Sequence, residues 1–180
     1  MGFAISWLAA RDTSETSVLA SLGPEKTGET EEVPDGNWCS TLVGEWMVIW
    51  SNSCEPARFR APSELKGEVV VCDVEEHVMF ASAAAFNDGT LSWRIVHDAQ
   101  QAQDHLAVEG KPPESLVRIQ AEQFARVGDD RRVDFVFEIP IQLAQEVVGF
   151  RYDEALVRTF DILQDVVSEM KSKKSNWKFW

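Results

Sequence analysis

The segment 69–98 most constrains the fold, because it contains three strand patterns in close succession. The strand patterns, rich in β-branched, aromatic and alanine residues, run over 69–74, 77–86 and 91–97. The turn sequence Asn87-Asp88-Gly89-Thr90 separates the last two strands, and Asp-Gly is favoured at the centre of a type I′ hairpin turn. We therefore predict an antiparallel hairpin with Asp88 and Gly89 at its tip.

This turn also predicts which residues face each other across the hairpin. With a two-residue tip, the expected pairs are Phe86–Leu91, Ala84–Trp93, Ser82–Ile95 and Phe80–His97. The face that these pairs share is mostly apolar and is predicted to be core. The opposite face is rich in alanine, so we expect another layer to approach it closely. The same register places His77 and His97 on opposite faces.

The remaining patterns predict strands early in the chain and helices late. Strands are expected over 3–8 and 46–50, and a short helix capped by Asp12 or Thr13 is expected to end at Gly23. After the hairpin we predict a helix over 112–127, a strand over 133–139, and helices over 141–148 and 160–170. The fold class is therefore α+β: an antiparallel sheet with the Asp-Gly hairpin at its centre, packed by helices mostly from the C-terminal half. One domain is predicted over 1–170, followed by a basic aromatic tail over 171–180.

Charge bounds the partners of the chain. It carries 30 acidic and 17 basic residues, a net charge of −13, and the last ten residues hold four of the lysines and no acid. A body this acidic repels phosphate backbones and attracts cationic surfaces, so nucleic acid is not an expected partner. The first hypothesis is a module that binds a basic protein, as an immunity protein neutralises a secreted nuclease toxin. The predicted partner-binding acids are Glu29, Glu31, Glu32, Asp35, Glu75, Glu76, Asp129 and Asp130.

The histidines support a second hypothesis, a small metal-dependent or hydrolytic enzyme. All three histidines lie within 77–105, and His77, His97 and Asp98 form the candidate catalytic cluster. Cys72 or Ser82 could act as a nucleophile with His97 as its base, and Ser82 shares a predicted face with His97. The predicted register separates the two histidines, and no metal-ligand spacing is present, so we predict neither a metal nor a cofactor.

A third hypothesis uses the tail as a docking peptide in an assembly protein. Its lysines alternate with Trp177, Phe179 and Trp180. We expect the tail to touch a membrane surface or an acidic partner, to fold back onto the acidic body of the chain, or to be disordered. Deletion of 171–180 would then abolish association and leave the fold intact.

Membrane insertion is not expected, because no run approaches the roughly 20 apolar residues that a transmembrane helix needs. The opening Gly2-Phe3-Ala4-Ile5-Ser6-Trp7-Leu8 is typical of a strand and has no basic region before it. The three cysteines form no CxxC pair, which indicates structural thiols rather than a disulfide framework. These features predict a cytoplasmic protein.

Several segments resemble a family of hypothetical bacterial proteins that carries no assigned activity. The resemblance spans about 2–155 and rests on the opening GFAISWLA, on VEEHVMF at 74–80, on WRIVHDAQ at 93–100, and on FEIP at 137–140 followed by GFR at 149–151. It implies a bacterial, cytoplasmic setting and adds no site residue.

Overall fold

The computed structural model of the chain describes residues 2–34, 38–54, 65–127, 133–154 and 158–165. Within these residues the chain forms nine strands and three helices. The strands are β1 (Ala4–Arg11), β2 (Pro24–Glu31), β3 (Trp38–Val43), β4 (Trp46–Ser51), β5 (Glu68–Glu75), β6 (Phe80–Asn87), β7 (Thr90–Asp98), β8 (Ala107–Gly110) and β9 (Phe160–Asp165). The helices are α1 (Glu15–Leu22), α2 (Ser115–Val127) and α3 (Glu138–Val148). None of the helices in these ranges is both long and apolar enough to cross a membrane.

The strands form one sheet whose described pairings are all antiparallel, in the order β2-β9-β3-β4-β1-β5-β6-β7-β8. The predicted α+β class is confirmed at this level. The Asp-Gly hairpin is not at the centre of the sheet as predicted, because its strands β6 and β7 lie toward the β8 end of this order. Strand β1 lies in the middle, and residues 5–10 are buried on both faces, so the sheet is covered on both sides there.

The larger core lies between the sheet and α3. Helix α3 packs against β5, β6 and β7 and buries Ile139, Leu143 and Val148 in the same cluster as Trp7. Just after α3, Phe150 makes an edge-to-face contact with Trp7 at 5.3 Å between ring centroids. A smaller core on the opposite face contains Val18 of α1 and Ile49 of β4.

The hairpin between β6 and β7 turns at Asp88 and Gly89, whose φ angles are +48° and +77°. Phe86 pairs with Leu91 as predicted, but an irregularity then shifts the register by one residue. The predicted pairs Ala84–Trp93, Ser82–Ile95 and Phe80–His97 are therefore wrong. The observed pairs are Ala85–Trp93, Ala83–Ile95 and Ala81–His97.

The cause is one extra residue in β7, a β-bulge at Ser92, which faces no single residue of β6. The Ser92 carbonyl accepts a hydrogen bond from the Lys111 N–H at 2.9 Å, so the extra residue is held by the chain that follows β8. Because side chains alternate along a strand, the shift changes which β6 residues share a face with Trp93 and Ile95. The side chains of Trp93 and Ile95 lie with those of Ala81 and Ala83 in the core under α3.

Two predicted elements near the C-terminal half are wrong. Residues 133–137 form a turn rather than a strand, and α3 starts directly after it. The Asp134 carboxylate accepts the Phe137 N–H at 3.2 Å, which favours the turn over an extended chain. Pro140 lies in the first turn of α3, where no helical N–H donor is required, so it does not end an element.

Residues 160–165 form strand β9 rather than the start of a helix, because they pair with β2 on one side and β3 on the other. Pairing with two distant strands overrides the local helical spacing. The rest of the predicted helix, 166–170, and the tail 171–180 lie outside the described residues.

A side chain at Gly67 should destabilise the fold, because of its backbone conformation and the close approach of another segment. Its φ is +83°, and a Cβ there would lie 2.8 Å from the Asp12 carbonyl oxygen and closer still to that of Arg11. We expect Gly67→Ala to lower the free energy of unfolding by about 3 kcal/mol, through strain and a backbone clash. Gly28 is the matched control, because its φ is +86° but no atom lies within 4 Å of its Cβ position.

Gly28→Ala should therefore cost only about 1 kcal/mol. Urea denaturation of both variants measures the difference. Equal losses would show that the close approach at Gly67 is not a constraint.

Candidate functional site

The first acidic residues of the predicted partner surface, Glu29, Glu31 and Glu32, lie on an edge strand or directly after it. Strand β2 is at one end of the sheet order and pairs only with β9 among the described strands. Residues 25–30 are all exposed, Glu29 among them. Glu32 is exposed directly after the strand, and Glu31 is partly buried. Three of the predicted acids thus lie together, and Asp35 falls outside the described residues.

A bulge separates the two halves of β2. Lys26 pairs with Leu163 and Thr30 with Asp161, so three residues of β2 face Ile162 alone. The Thr27 hydroxyl donates to the Ile162 carbonyl oxygen at 3.1 Å and accepts the Glu29 N–H at 3.1 Å. The bulge interrupts the regular edge, which discourages pairing with unrelated strands, while Glu29 remains at the surface.

Lys26 is the only cation of β2, and acidic neighbours neutralise it. Its ammonium group forms ion pairs with Glu15 and, at 2.8 Å, with Asp161. Burial lowers the pKa of Lys26, but the hydrogen bonds and charges of these two carboxylates outweigh burial, and the pKa is raised overall. The edge around Glu29, Glu31 and Glu32 therefore keeps a negative potential.

Glu75 and Glu76 do not belong to this surface. They lie at the end of β5, and four strands separate β5 from β2, a distance of about 24 Å across the sheet at the usual strand spacing. The Glu75 carboxylate contacts His77 Nδ1 at 2.6 Å. The two oxygens of Glu76 accept the Phe3 N–H and the Tyr152 hydroxyl, each at 2.8 Å. Both carboxylates already have partners within the fold, and Asp129 and Asp130 lie outside the described residues.

His97 is a fully buried residue whose ring contacts two other parts of the chain. Its ring is fully buried, with Nδ1 2.7 Å from the His105 carbonyl oxygen and Nε2 2.9 Å from Asp134 Oδ2. Both ring nitrogens thus lie within hydrogen-bond distance of an oxygen. The ring has no exposed atom with which to meet a substrate.

The other two members of the candidate catalytic cluster, His77 and Asp98, have different contacts. His77 is exposed in the turn between β5 and β6, where it pairs with Glu75. Asp98 is partly buried, and the hydrogen bond from Gln101 lowers the pKa of its carboxyl more than desolvation raises it. His77 thus bonds Glu75, His97 bonds Asp134 and the His105 carbonyl oxygen, and Asp98 accepts hydrogen bonds from Gln100 and Gln101. No group of three or more His, Cys, Asp or Glu residues in the described ranges is arranged to hold a metal ion.

The candidate nucleophiles lie in surroundings that do not activate them: the serine hydroxyl is hydrogen-bonded to a carboxylate, and the pKa values of the thiols are raised. Ser82 pairs with Val96, on the face opposite to His97, and its hydroxyl donates to Asp73 Oδ2 at 2.9 Å. Burial raises the pKa of the Cys72 thiol well above its usual range, and Cys39 behaves in the same way. Burial, with the charges of Asp73 and Glu75, raises the pKa of Cys54 to about 12. Thiolate chemistry near neutral pH is therefore disfavoured at all three cysteines.

The sequence did not predict a groove of about 860 Å³ beside α3. Its walls come from one face of α3, from the turn 76–79, from 133–137, from Arg126 at the end of α2, and from Arg151 and Glu154. One signal was available in the sequence. Gln123 occupies an apolar-face position of α2, where a polar side chain needs a specific partner.

Comparison with family models, curated proteins and solved structures finds no match to this chain.

The His97–Asp134 pair should stabilise the fold rather than serve catalysis. Asp134→Ala leaves a buried ring nitrogen without its partner and removes the contact to Phe137, so we expect a loss of about 3 kcal/mol in the free energy of unfolding. His77→Ala removes an exposed pair and should cost less than about 0.5 kcal/mol. Urea denaturation measures both. A small effect of Asp134→Ala would contradict the structural role of the pair.

The cysteines should be unreactive in the folded chain. At about pH 8, a pKa raised from 9 to about 12 lowers the thiolate fraction of Cys54 about a thousandfold, and iodoacetamide labelling should slow accordingly. The folded state keeps this proton, whereas the unfolded state loses it above about pH 9. The free energy of unfolding should therefore fall as the pH rises from about 9 to about 12. The urea-unfolded chain, labelled in parallel, is the control, and fast labelling of the folded chain would contradict the prediction.

Proposed function

We propose that this chain binds a cationic protein through the edge strand β2 and neutralises or docks onto it, in the manner of an immunity protein. The observation that carries the proposal is the run of exposed residues 25–30 on a sheet edge, continued by the acids at 31 and 32. A bacterial, cytoplasmic setting belongs to the same proposal.

The electrostatics of the surface favour a basic partner. The chain has a net charge of −13, and the one lysine of β2 is neutralised by Glu15 and Asp161. Complementary charge speeds diffusional encounter and disfavours acidic partners. Nucleic acid is disfavoured for the same reason, because its phosphates would meet the same negative potential.

The dimensions of the surface suit a protein rather than a small molecule. Eight residues of extended chain span about 26 Å, which is comparable to the width of a protein interface that buries about 800 Å² per partner. The exposed carboxylates lie along one edge strand and directly after it, where a basic protein surface can contact several at once. Charges at such exposed positions act mainly on the association rate and its dependence on salt.

The test compares two double variants that change the net charge equally. Glu29→Gln with Glu32→Gln removes two exposed acids from the β2 surface. Glu109→Gln with Glu114→Gln removes two exposed acids near β8, at the far end of the sheet order. Each tagged variant is used for capture from a lysate of the source cells at roughly 50 mM and roughly 500 mM salt.

We expect a stoichiometric basic protein that is captured at low salt and released at high salt. The β2 variant should weaken its binding about tenfold, and the β8 variant should leave it nearly unchanged. Equal effects of the two variants would show that only overall charge matters. The absence of a basic partner, or capture that is insensitive to salt, would overturn the proposal.

A further inference from the structure

We propose that the groove beside α3 binds a small carboxylate with an apolar or aromatic body, and that Arg126 holds its carboxylate group. This site lies away from the β2 surface and does not depend on the function proposed for it. Its volume of about 860 Å³ falls in the usual range for small-molecule sites, roughly 300–1,000 Å³.

The acidic residues of the groove are already engaged. Asp134 is bonded to His97, and Glu138 to Arg151 at 2.9 Å. Glu154 accepts from the Gln145 amide at 2.7 Å, and Glu76 accepts from Tyr152 and Phe3. Each carboxylate thus has a donor from the fold, and none depends on a ligand for its partner.

One of the two arginines is engaged in the same way. The Arg151 guanidinium contacts Glu138 and both oxygens of Asp153. Burial lowers the pKa of Arg151, but Asp153 and Glu138 raise it by more, so this arginine stays charged and paired. It is part of the wall and is not free to bind an anion.

Arg126 differs from Arg151 because no carboxylate contacts it among the described residues. Its guanidinium lies over the Phe135 ring, with Cζ 4.2 Å from the ring centroid. One of its N–H groups donates to Gln123 Oε1 at 3.1 Å. A guanidinium has five N–H donors, so most of its donor capacity remains available to a ligand in the groove.

The position of Arg126 is fixed by a buried amide. Gln123 is only 3% exposed, and its Nε2 donates to Gln142 Oε1 at 3.1 Å while its Oε1 accepts from Arg126. A buried amide is tolerated only when it is hydrogen-bonded, and here one of its two bonds orients the arginine. Stacking on Phe135 and this hydrogen bond together hold the guanidinium in place before a ligand arrives, which lowers the entropy cost of binding.

The surroundings indicate which anion fits. A planar guanidinium binds a carboxylate through two parallel hydrogen bonds. The four acids of the groove repel a dianion more strongly than a monoanion, which favours a carboxylate over a phosphate. Apolar surface in the groove comes from Val133, which is 46% exposed, and from Met79, so the body of the ligand should be apolar.

The experiment uses three probes of similar shape: benzoate, uncharged benzamide and phenyl phosphate. Amide NMR titration of the full chain measures the dissociation constant of each. For a probe of this size we expect benzoate to bind with a Kd on the order of 1 mM, at least about fivefold tighter than either other probe. Binding of benzamide equal to that of benzoate, tighter binding of phenyl phosphate, or no binding of any probe would overturn the proposal.

Variants on α2 locate the site. Arg126→Gln should weaken benzoate at least tenfold, whereas Arg118→Gln should change it less than twofold. Arg118 is the matched control because it lies two turns earlier on the same helix and pairs with Glu122 and Glu146. Gln123→Glu offers Arg126 an internal carboxylate and should also weaken benzoate, with the fold checked by circular dichroism. Unchanged affinity in Arg126→Gln would overturn the assignment.

Discussion

The extra residue at Ser92 determines which side chains of β6 and β7 share the face that packs under α3. Because β7 gains one residue there, Trp93, Ile95 and His97 share a face with the small side chains of β6. Alanines in β6 leave room for α3 to pack closely, and His97 then reaches Asp134 in the turn that starts α3. The position of α3, and hence of the groove along it, follows from a single irregularity in the hairpin.

Local chemistry predicted some elements well. Gly23 ends α1 in a left-handed conformation, as its position after an apolar run indicated, although Ser14 rather than Asp12 or Thr13 is the N-cap. Gly149 ends α3 in the same way. In each case the interactions that end the helix are between residues a few positions apart, so the local sequence is enough to predict them.

Long-range contacts explain the elements that were missed. The spacing within 160–165 is compatible with a helix, and only pairing with β2 and β3 makes it a strand. The β-bulge at Ser92 is held by Lys111, nearly twenty residues further on, which a hairpin pattern cannot reveal. The same limit applies to the acids. Composition predicts an acidic surface. Only the structure shows that Glu76 accepts hydrogen bonds from Tyr152 and Phe3, while Glu29 is exposed.

The place of β9 between β2 and β3 has a consequence for how the acidic edge forms. Strand β2 is near the start of the chain, but its only described strand partner is 160–165, more than 120 residues later. During synthesis β2 therefore has no strand to join until most of the chain has left the ribosome, and contacts of such high sequence separation form slowly. A partner that recognises this edge would engage finished molecules and ignore nascent or truncated ones.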